Sequence, residues 1–294
     1  MTKILFIVND IAGGKSKRGL PGIIRRHLDS EKFQWELEHT QYKGHATELA
    51  RETDADWVVA VGGDGTVNEV ARGIIGTEKA LGIIPCGSGD GLALHLGISR
   101  LMHLAVRSLN SAEPVRADYG LVNGEPFFCT CGVGLDAIVS MKFAQASHRG
   151  LPVYIEKAIE TWHGFEPETY RIGIDGESVD VKAVLITAGN ANQWGNYSKI
   201  APAASVCDGL LDVSVIGPFK STRIPILATE LIAGKINQDH SVRHFRCRKL
   251  HIHRESEGAA HFDGDPLILG KDIEVEIVPG GILLLPPASK MKTI

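Results

Sequence analysis

The feature that most restricts this chain is a repeated pairing, over its first third, of uninterrupted apolar runs with helical patterns. Ile4-Leu5-Phe6-Ile7-Val8 and Trp57-Val58-Val59-Ala60-Val61 show no polar alternation, and Leu81-Gly82-Ile83-Ile84 repeats the theme. A strand that is apolar on both faces has to be covered on both, which is the condition of a parallel sheet between helices. Helical stretches fall between these runs, over Leu20–Leu28, His45–Glu52 and Thr66–Ile75, and Phe33, Trp35 and Leu37 alternate as one more strand. An α/β domain over residues 1–113 is the reading.

After about residue 113 the rhythm changes. Asn123-Gly124 and Asp175-Gly176 are two-residue hairpin signals. Val179, Val181, Ala183 and Leu185 alternate, as do Leu250 and Ile252 with His251 and His253, and Ile273, Val275 and Ile277. These patterns predict an antiparallel β-sandwich over 114–280, interrupted by helices near Leu135–Ala146, Val153–Trp162 and Thr222–Leu231. The final segment, about 281–294, is a candidate to return to the first domain.

Charge and composition exclude several classes. A formal net charge of -4 and a pI near 6.3 give no bulk attraction to nucleic acid. Five cysteines without CxxC spacing point to a reduced, cytoplasmic chain. No apolar run approaches the roughly 20 residues of a membrane span, so any membrane contact is peripheral. Twelve histidines lack an HExxH pattern, which argues against zinc.

Three glycine-rich loops follow three of the apolar strands. Ligands of an open parallel sheet bind at the carboxyl ends of its strands, so these loops are expected to meet on one rim. The first, Asn9 to Gly19, resembles a P-loop in Gly14-Lys15-Ser16, but Asn9 occupies the place of its first glycine. The second, Gly62-Gly63-Asp64-Gly65-Thr66-Val67-Asn68-Glu69, opens a helix whose start suits a phosphate, with Thr66 and Glu69 forming a capping box. Asp64 is unexplained by capping, and an acid in an anion cradle needs a metal or a transferable proton beside it. The third, Pro85-Cys86-Gly87-Ser88-Gly89-Asp90, offers Ser88 as a cap or a phosphate ligand.

These residues, in this order, resemble the diacylglycerol kinase and sphingosine kinase superfamily, its bacterial lipid kinase branch above all. The resemblance rests on Thr40 with Gly44-His45-Ala46, the Gly62–Glu69 loop and Pro85-Cys86-Gly87-Ser88-Gly89. It continues through Gly132-Val133-Gly134-Leu135-Asp136-Ala137, Ala201-Pro202-Ala203-Ala204 with Asp208-Gly209-Leu210-Leu211-Asp212, and Phe262-Asp263-Gly264-Asp265-Pro266. It implies a three-layer α/β nucleotide-binding domain, NAD kinase/diacylglycerol kinase-like, followed by the β-sandwich. It also resolves the first loop: the family begins with N-P-x-x-G, matched by Asn9 and Gly13, with Asp10 in place of proline.

By the same resemblance, the expected activity is ATP- and Mg²⁺-dependent phosphorylation of a hydroxyl on a diacylglycerol-like or sphingoid lipid. Asn9, Gly13, Lys15, Thr40, Gly62, Gly63, Asp64, Gly65, Thr66, Asn68 and Ser88 would hold the nucleotide. Asp265 would act as base with Asp263 beside it, and Asp64 as the competing base or as an organiser of metal or water. Asp208 would be the charged ligand of a structural Mg²⁺ held partly through backbone carbonyls, with Leu210 and Ser205. Asp136 would face the lipid head group or else cap the helix that follows it. The lipid needs an apolar slot, either between the domains or inside the sandwich. Expected partners are a lipid, a membrane surface met peripherally and no nucleic acid, with a homodimer left open. Asp90, Leu94, Cys207 and Asp265 also depart from the family pattern, and two rivals stay in view: an NAD kinase-like enzyme, which shares Gly62-Gly63-Asp64-Gly65-Thr66, and a catalytically weak binder, motivated by Asp10, Asp90, Leu94 and Asp265. Arg243, Arg246, Arg248 and Lys249 form a basic patch, read as a solvated strand face or a contact for anionic lipid heads.

Overall fold

The structure is a computed structural model that describes residues 1–11, 17–148 and 151–290. Two units divide the chain: Met1–Asp118 with Pro279–Ile294, and Tyr119–Val278. The first unit contains β1 (Thr2–Val8), α1 (Leu20–His27), β2 (Phe33–His39), α2 (His45–Glu52), β3 (Trp57–Gly62), α3 (Asp64–Ile74), β4 (Ala80–Pro85), α4 (Gly91–His95) and α5 (Met102–Ser108). Its strands run in the order β2-β1-β3-β4, all parallel. The last segment adds one more parallel strand, with Leu283 opposite Ala80. Every residue of β3 and β4 is buried, as uninterrupted apolar runs require. α2 and α3 cross closely enough that a Cβ on Gly73 would lie 2.6 Å from the Thr47 carbonyl oxygen.

The second unit begins within β5 (Val115–Val122) and continues through β6 (Glu125–Phe127), β7 (Thr130–Gly134), α6 (Leu135–Gln145), α7 (Leu151–Trp162), β8 (Glu168–Ile174), β9 (Glu177–Ala183), β10 (Leu185–Gly189), β11 (Gln193–Gly195) and β12 (Ser198–Lys199). Then follow β13 (Leu211–Ile216), α8 (Ile224–Ala233), β14 (Val242–Cys247), β15 (Lys249–His253), β16 (Gly258–Phe262), β17 (Asp265–Leu269) and β18 (Asp272–Leu284), whose end belongs to the first unit. One sheet runs β14-β13-β10-β7-β16-β17; β15 and β8 follow the first part of β18 in the other, with β9 at the edge. All these pairings are antiparallel. Tyr170, Ile172, Leu250, Ile252 and Ile273 from one sheet share a core with Cys131, Val133, Ile186 and Val213 from the other. Asn123-Gly124 and Asp175-Gly176 take positive φ at both positions, the turn geometry that matches strand twist.

Three local expectations are corrected. α3 starts at Asp64 with Gly63 as its cap and no side-chain capping bond, so Thr66 and Glu69 form no capping box. Gly134, not Asp136, precedes α6, and Asp90, not Ser88, precedes α4. Tertiary bonds claim two of these side chains: Asn9 donates to the Thr66 hydroxyl, and Thr187 and His261 bond the Asp136 carboxylate.

Candidate active site

In the first unit the loops after β1, β3 and β4 meet. The Asn9 amide donates to the Thr66 hydroxyl at 3.1 Å, joining the first loop to the second. Its side-chain oxygen accepts the Ile11 N–H, and its own N–H bonds the Val61 carbonyl. Thr40 sits next to it, its N–H on the Val8 carbonyl. The second and third loops touch backbone to backbone. A Cβ on Gly87 would lie 2.6 Å from the Gly63 Cα, and one on Gly62 would strike the Thr66 side chain at 2.4 Å. Only glycine permits this approach. Gly13 and Lys15 lie outside the described residues.

Asp64 joins the loops as well. Its two carboxylate oxygens accept the N–H groups of Asp90 and Gly91, at 2.9 and 2.6 Å. Asp90, held at φ 55°, turns its own carboxylate back onto the Gly87 N–H at 2.7 Å. Arg100 completes the arrangement: its Nε lies 3.0 Å from Asp90, and its terminal nitrogen donates to the Gly87 and Ser88 carbonyls. Sequence reasoning missed Arg100. The extra acid at Asp90 is therefore neutralised locally rather than left facing a phosphate. Removing the guanidinium would strand a buried carboxylate, so Arg100→Ala is expected to cost about 3 kcal/mol, read by urea denaturation.

The result is a rim of backbone at an uncapped helix start, with Gly65 and Ser88 exposed on it. Amides at such a start attract anions. Asn68 lies deeper and accepts a bond from Arg72 at 2.7 Å. His45 stacks on Tyr42, with centroids 4.6 Å apart, and its Nδ1 accepts the Gln41 N–H, so the Gly44-His45-Ala46 segment shapes the start of α2. Asp10, the departure from proline, bonds His39 at 2.7 Å.

In the second unit the Asp263-Gly264 turn joins β16 to β17, with φ of 49° and 83°. The Asp263 carboxylate accepts three backbone N–H groups, from Phe128, Cys129 and Thr130, at 2.8 to 3.2 Å. That clamp pins the hairpin. Asp265, two residues on, is exposed at the head of β17.

Asp136 is buried, with three bonds on its carboxylate: the Ala137 N–H at 2.9 Å, the Thr187 hydroxyl at 3.2 Å and His261 Nε2 at 2.9 Å. His261 is buried too. Its loss would leave the carboxylate under-satisfied in a dry site. His261→Ala is accordingly expected to lower stability by about 2–4 kcal/mol, checked by the shift of the urea midpoint.

Asp208 accepts the Leu210 N–H at 3.0 Å and is ion-paired with Arg246, while the Ser205 hydroxyl accepts the Cys207 N–H at 3.3 Å. No group of three His, Cys, Asp or Glu side chains able to hold a metal occurs among the described residues. A guanidinium thus lies against Asp208, the one carboxylate that the resemblance offers to a structural Mg²⁺. Arg246 also reaches the fully buried Asp212, Arg243 lies over the Phe245 ring, and Lys249 pairs with Glu276. The basic patch is spent largely on the protein itself.

The parallel sheet with a glycine rim, followed by a β-sandwich, defines a class of two-domain kinases. Within that class, residues 3–122 match the Diacylglycerol kinase catalytic domain and residues 129–285 the YegS C-terminal NAD kinase beta sandwich-like domain. The chain belongs to the lipid kinase family that these two domains compose. A diacylglycerol kinase of Bacillus subtilis (strain 168) is 25% identical over 276 residues, 90% of each chain. A crystal structure of a diacylglycerol kinase from Bacillus anthracis str. Sterne superposes with a TM-score of 0.76 at 22% identity, over 98% of each chain. An NAD kinase from Archaeoglobus fulgidus in complex with ATP shares the fold at a TM-score of 0.54 and 11% identity, over 100% of this chain and 97% of the other. At such identities the two structures speak to fold alone.

Proposed function

We propose that this chain transfers the γ-phosphoryl group of ATP, with Mg²⁺, to the hydroxyl of a diacylglycerol-like lipid. The observation that carries this reading is the meeting of three loops at the uncapped start of α3, where glycines bring backbone within 3.1 Å or less of a neighbour's added Cβ. Backbone at Gly62, Gly63 and Gly65, with the side chains of Asn9, Thr40, Thr66 and Ser88, would hold the phosphates. Asn68 and Asp64 would keep that rim in shape. Phosphoryl transfer depends on such positioning and on charge neutralisation more than on covalent chemistry. Mg²⁺ would supply neutralisation as a hard cation carried on phosphate oxygens.

The acceptor hydroxyl loses a proton as it attacks, and a carboxylate serves as base. Asp265 is the better candidate for that base. The Asp64 carboxylate tethers the third loop through two backbone N–H groups, and Asp265 is exposed on a hairpin that Asp263 clamps. Asp136 bears on substrate choice. Its carboxylate is buried and already carries three bonds, which favours a neutral glyceride hydroxyl over a sphingoid ammonium. Peripheral association with a membrane follows from the substrate class, and no helix of the described residues is long and apolar enough to cross one.

The test is incubation of the purified protein with γ-labelled ATP, Mg²⁺ and a total lipid extract, with NAD in a parallel reaction. Label in an acidic glycerolipid is the expected result. Label in the dinucleotide with lipids untouched would select the NAD kinase-like reading. ATP binding without turnover on any lipid would select a non-catalytic binder.

A further inference from the structure

α8 is a helix with its polarity reversed. It buries Leu227 and half-buries Leu231 against a small cluster that includes Leu185, Ile200, Ile236 and Val242. Its remaining apolar side chains face water: Ile224, Ile226 and Ile232 are 40%, 50% and 63% exposed. The only polar side chains in Ile224–Ala233 are Thr229 and Glu230. The Thr229 hydroxyl donates to the Pro225 carbonyl at 2.8 Å, so it is satisfied within the helix. Glu230 is half-buried, and burial followed by the neighbouring Asp239 raises its carboxyl pKa. A helix on an aqueous surface shows the opposite arrangement, with charge outward.

Cations frame this face. Lys220 precedes α8 and Lys235 follows it, both exposed. Lys199, on β12, runs past the helix end, where a Cβ on Gly234 would meet its side chain at 3.0 Å. None of the three pairs with a carboxylate among the described residues. Tyr197, 55% exposed and held at φ 64°, sits at the turn between β11 and β12. Residues 218–222, 234–238 and 193–199 contain no acid at all.

We infer that the outward face of α8 docks on an anionic lipid bilayer, with Ile226 and Ile232 among the acyl chains and Lys199, Lys220 and Lys235 at the phosphates. Isoleucines flanked by lysines and an interfacial tyrosine fit that boundary. A second copy of the chain fits it poorly, because a two-fold axis would set lysines against lysines, and the one acid of α8, Glu230, is half-buried. This inference rests on the lipid kinase reading for its purpose, not for its geometry.

The test is co-sedimentation of the full chain with phosphatidylcholine vesicles, with and without about one-third phosphatidylglycerol. The wild type is expected to bind the anionic vesicles. Ile226→Glu combined with Ile232→Glu is expected to weaken that binding at least about tenfold, and Lys220→Gln combined with Lys235→Gln by about tenfold. All four side chains are exposed, and an unchanged urea midpoint verifies folding. Binding that neither pair weakens overturns the inference. So does a wild-type dimer that ignores vesicles and dissociates in the isoleucine variant, read by sedimentation velocity. Turnover on detergent-dispersed short-chain diacylglycerol is measured alongside and expected to be unchanged in both variants. Its absence in the wild type would sink the kinase reading, while variant-sensitive vesicle binding would still support the docking face.

Discussion

Asp265→Asn is expected to lower turnover by about 10²–10⁴-fold while leaving the stability within about 0.5 kcal/mol of wild type. The carboxylate is exposed on the sandwich and replaced by a near-isostere, so folding has little to lose. Its neighbour behaves differently. Asp263→Ala removes the acceptor of three backbone N–H groups and is expected to cost about 3 kcal/mol, with turnover falling as the hairpin loosens. Steady-state rates and urea curves on the two variants separate a base from its support. Equal losses of stability would erase the distinction.

Gly87→Ala is expected to reduce turnover at least about 100-fold and stability by about 1–3 kcal/mol. The new methyl would sit 2.6 Å from the Gly63 Cα and 2.7 Å from Asp90 Oδ1. The first neighbour is backbone and the second is a carboxylate pinned by the Gly87 N–H and Arg100, so the loops must part and the phosphate rim opens. Gly65→Ala is the control. Nothing lies within 4 Å of its Cβ position, so stability should hold while ATP affinity falls, the methyl intruding where a phosphate would lie. Calorimetric titration with ATP, beside urea denaturation, reads both variants.

The strands and glycine loops were legible because their signals are local. A run such as Val58 to Val61 has to be buried on both faces, and Asn123-Gly124 takes the positive φ that its turn demands. The helix at Thr222–Leu231 was placed to within two residues, shifted because Pro225 belongs near its start. What stayed hidden depends on partners far along the chain. Thr66 reads as half of a capping box until Asn9 claims its hydroxyl. Asp90 reads as an electrostatic liability until Arg100, which belongs to no motif, is seen beside it. His261 and Asp136 meet across 125 residues, and the turn residues Asp263 and Asp265 part roles only when one is seen to accept three N–H groups.

The most direct measurement is a titration of ATP with Mg²⁺ into wild-type protein and into Asp265→Asn. If the glycine rim holds the nucleotide and Asp265 acts only on the acceptor hydroxyl, both proteins bind one equivalent with the same affinity. Absence of saturable binding by the wild type, or its loss in Asp265→Asn, would contradict that division of labour.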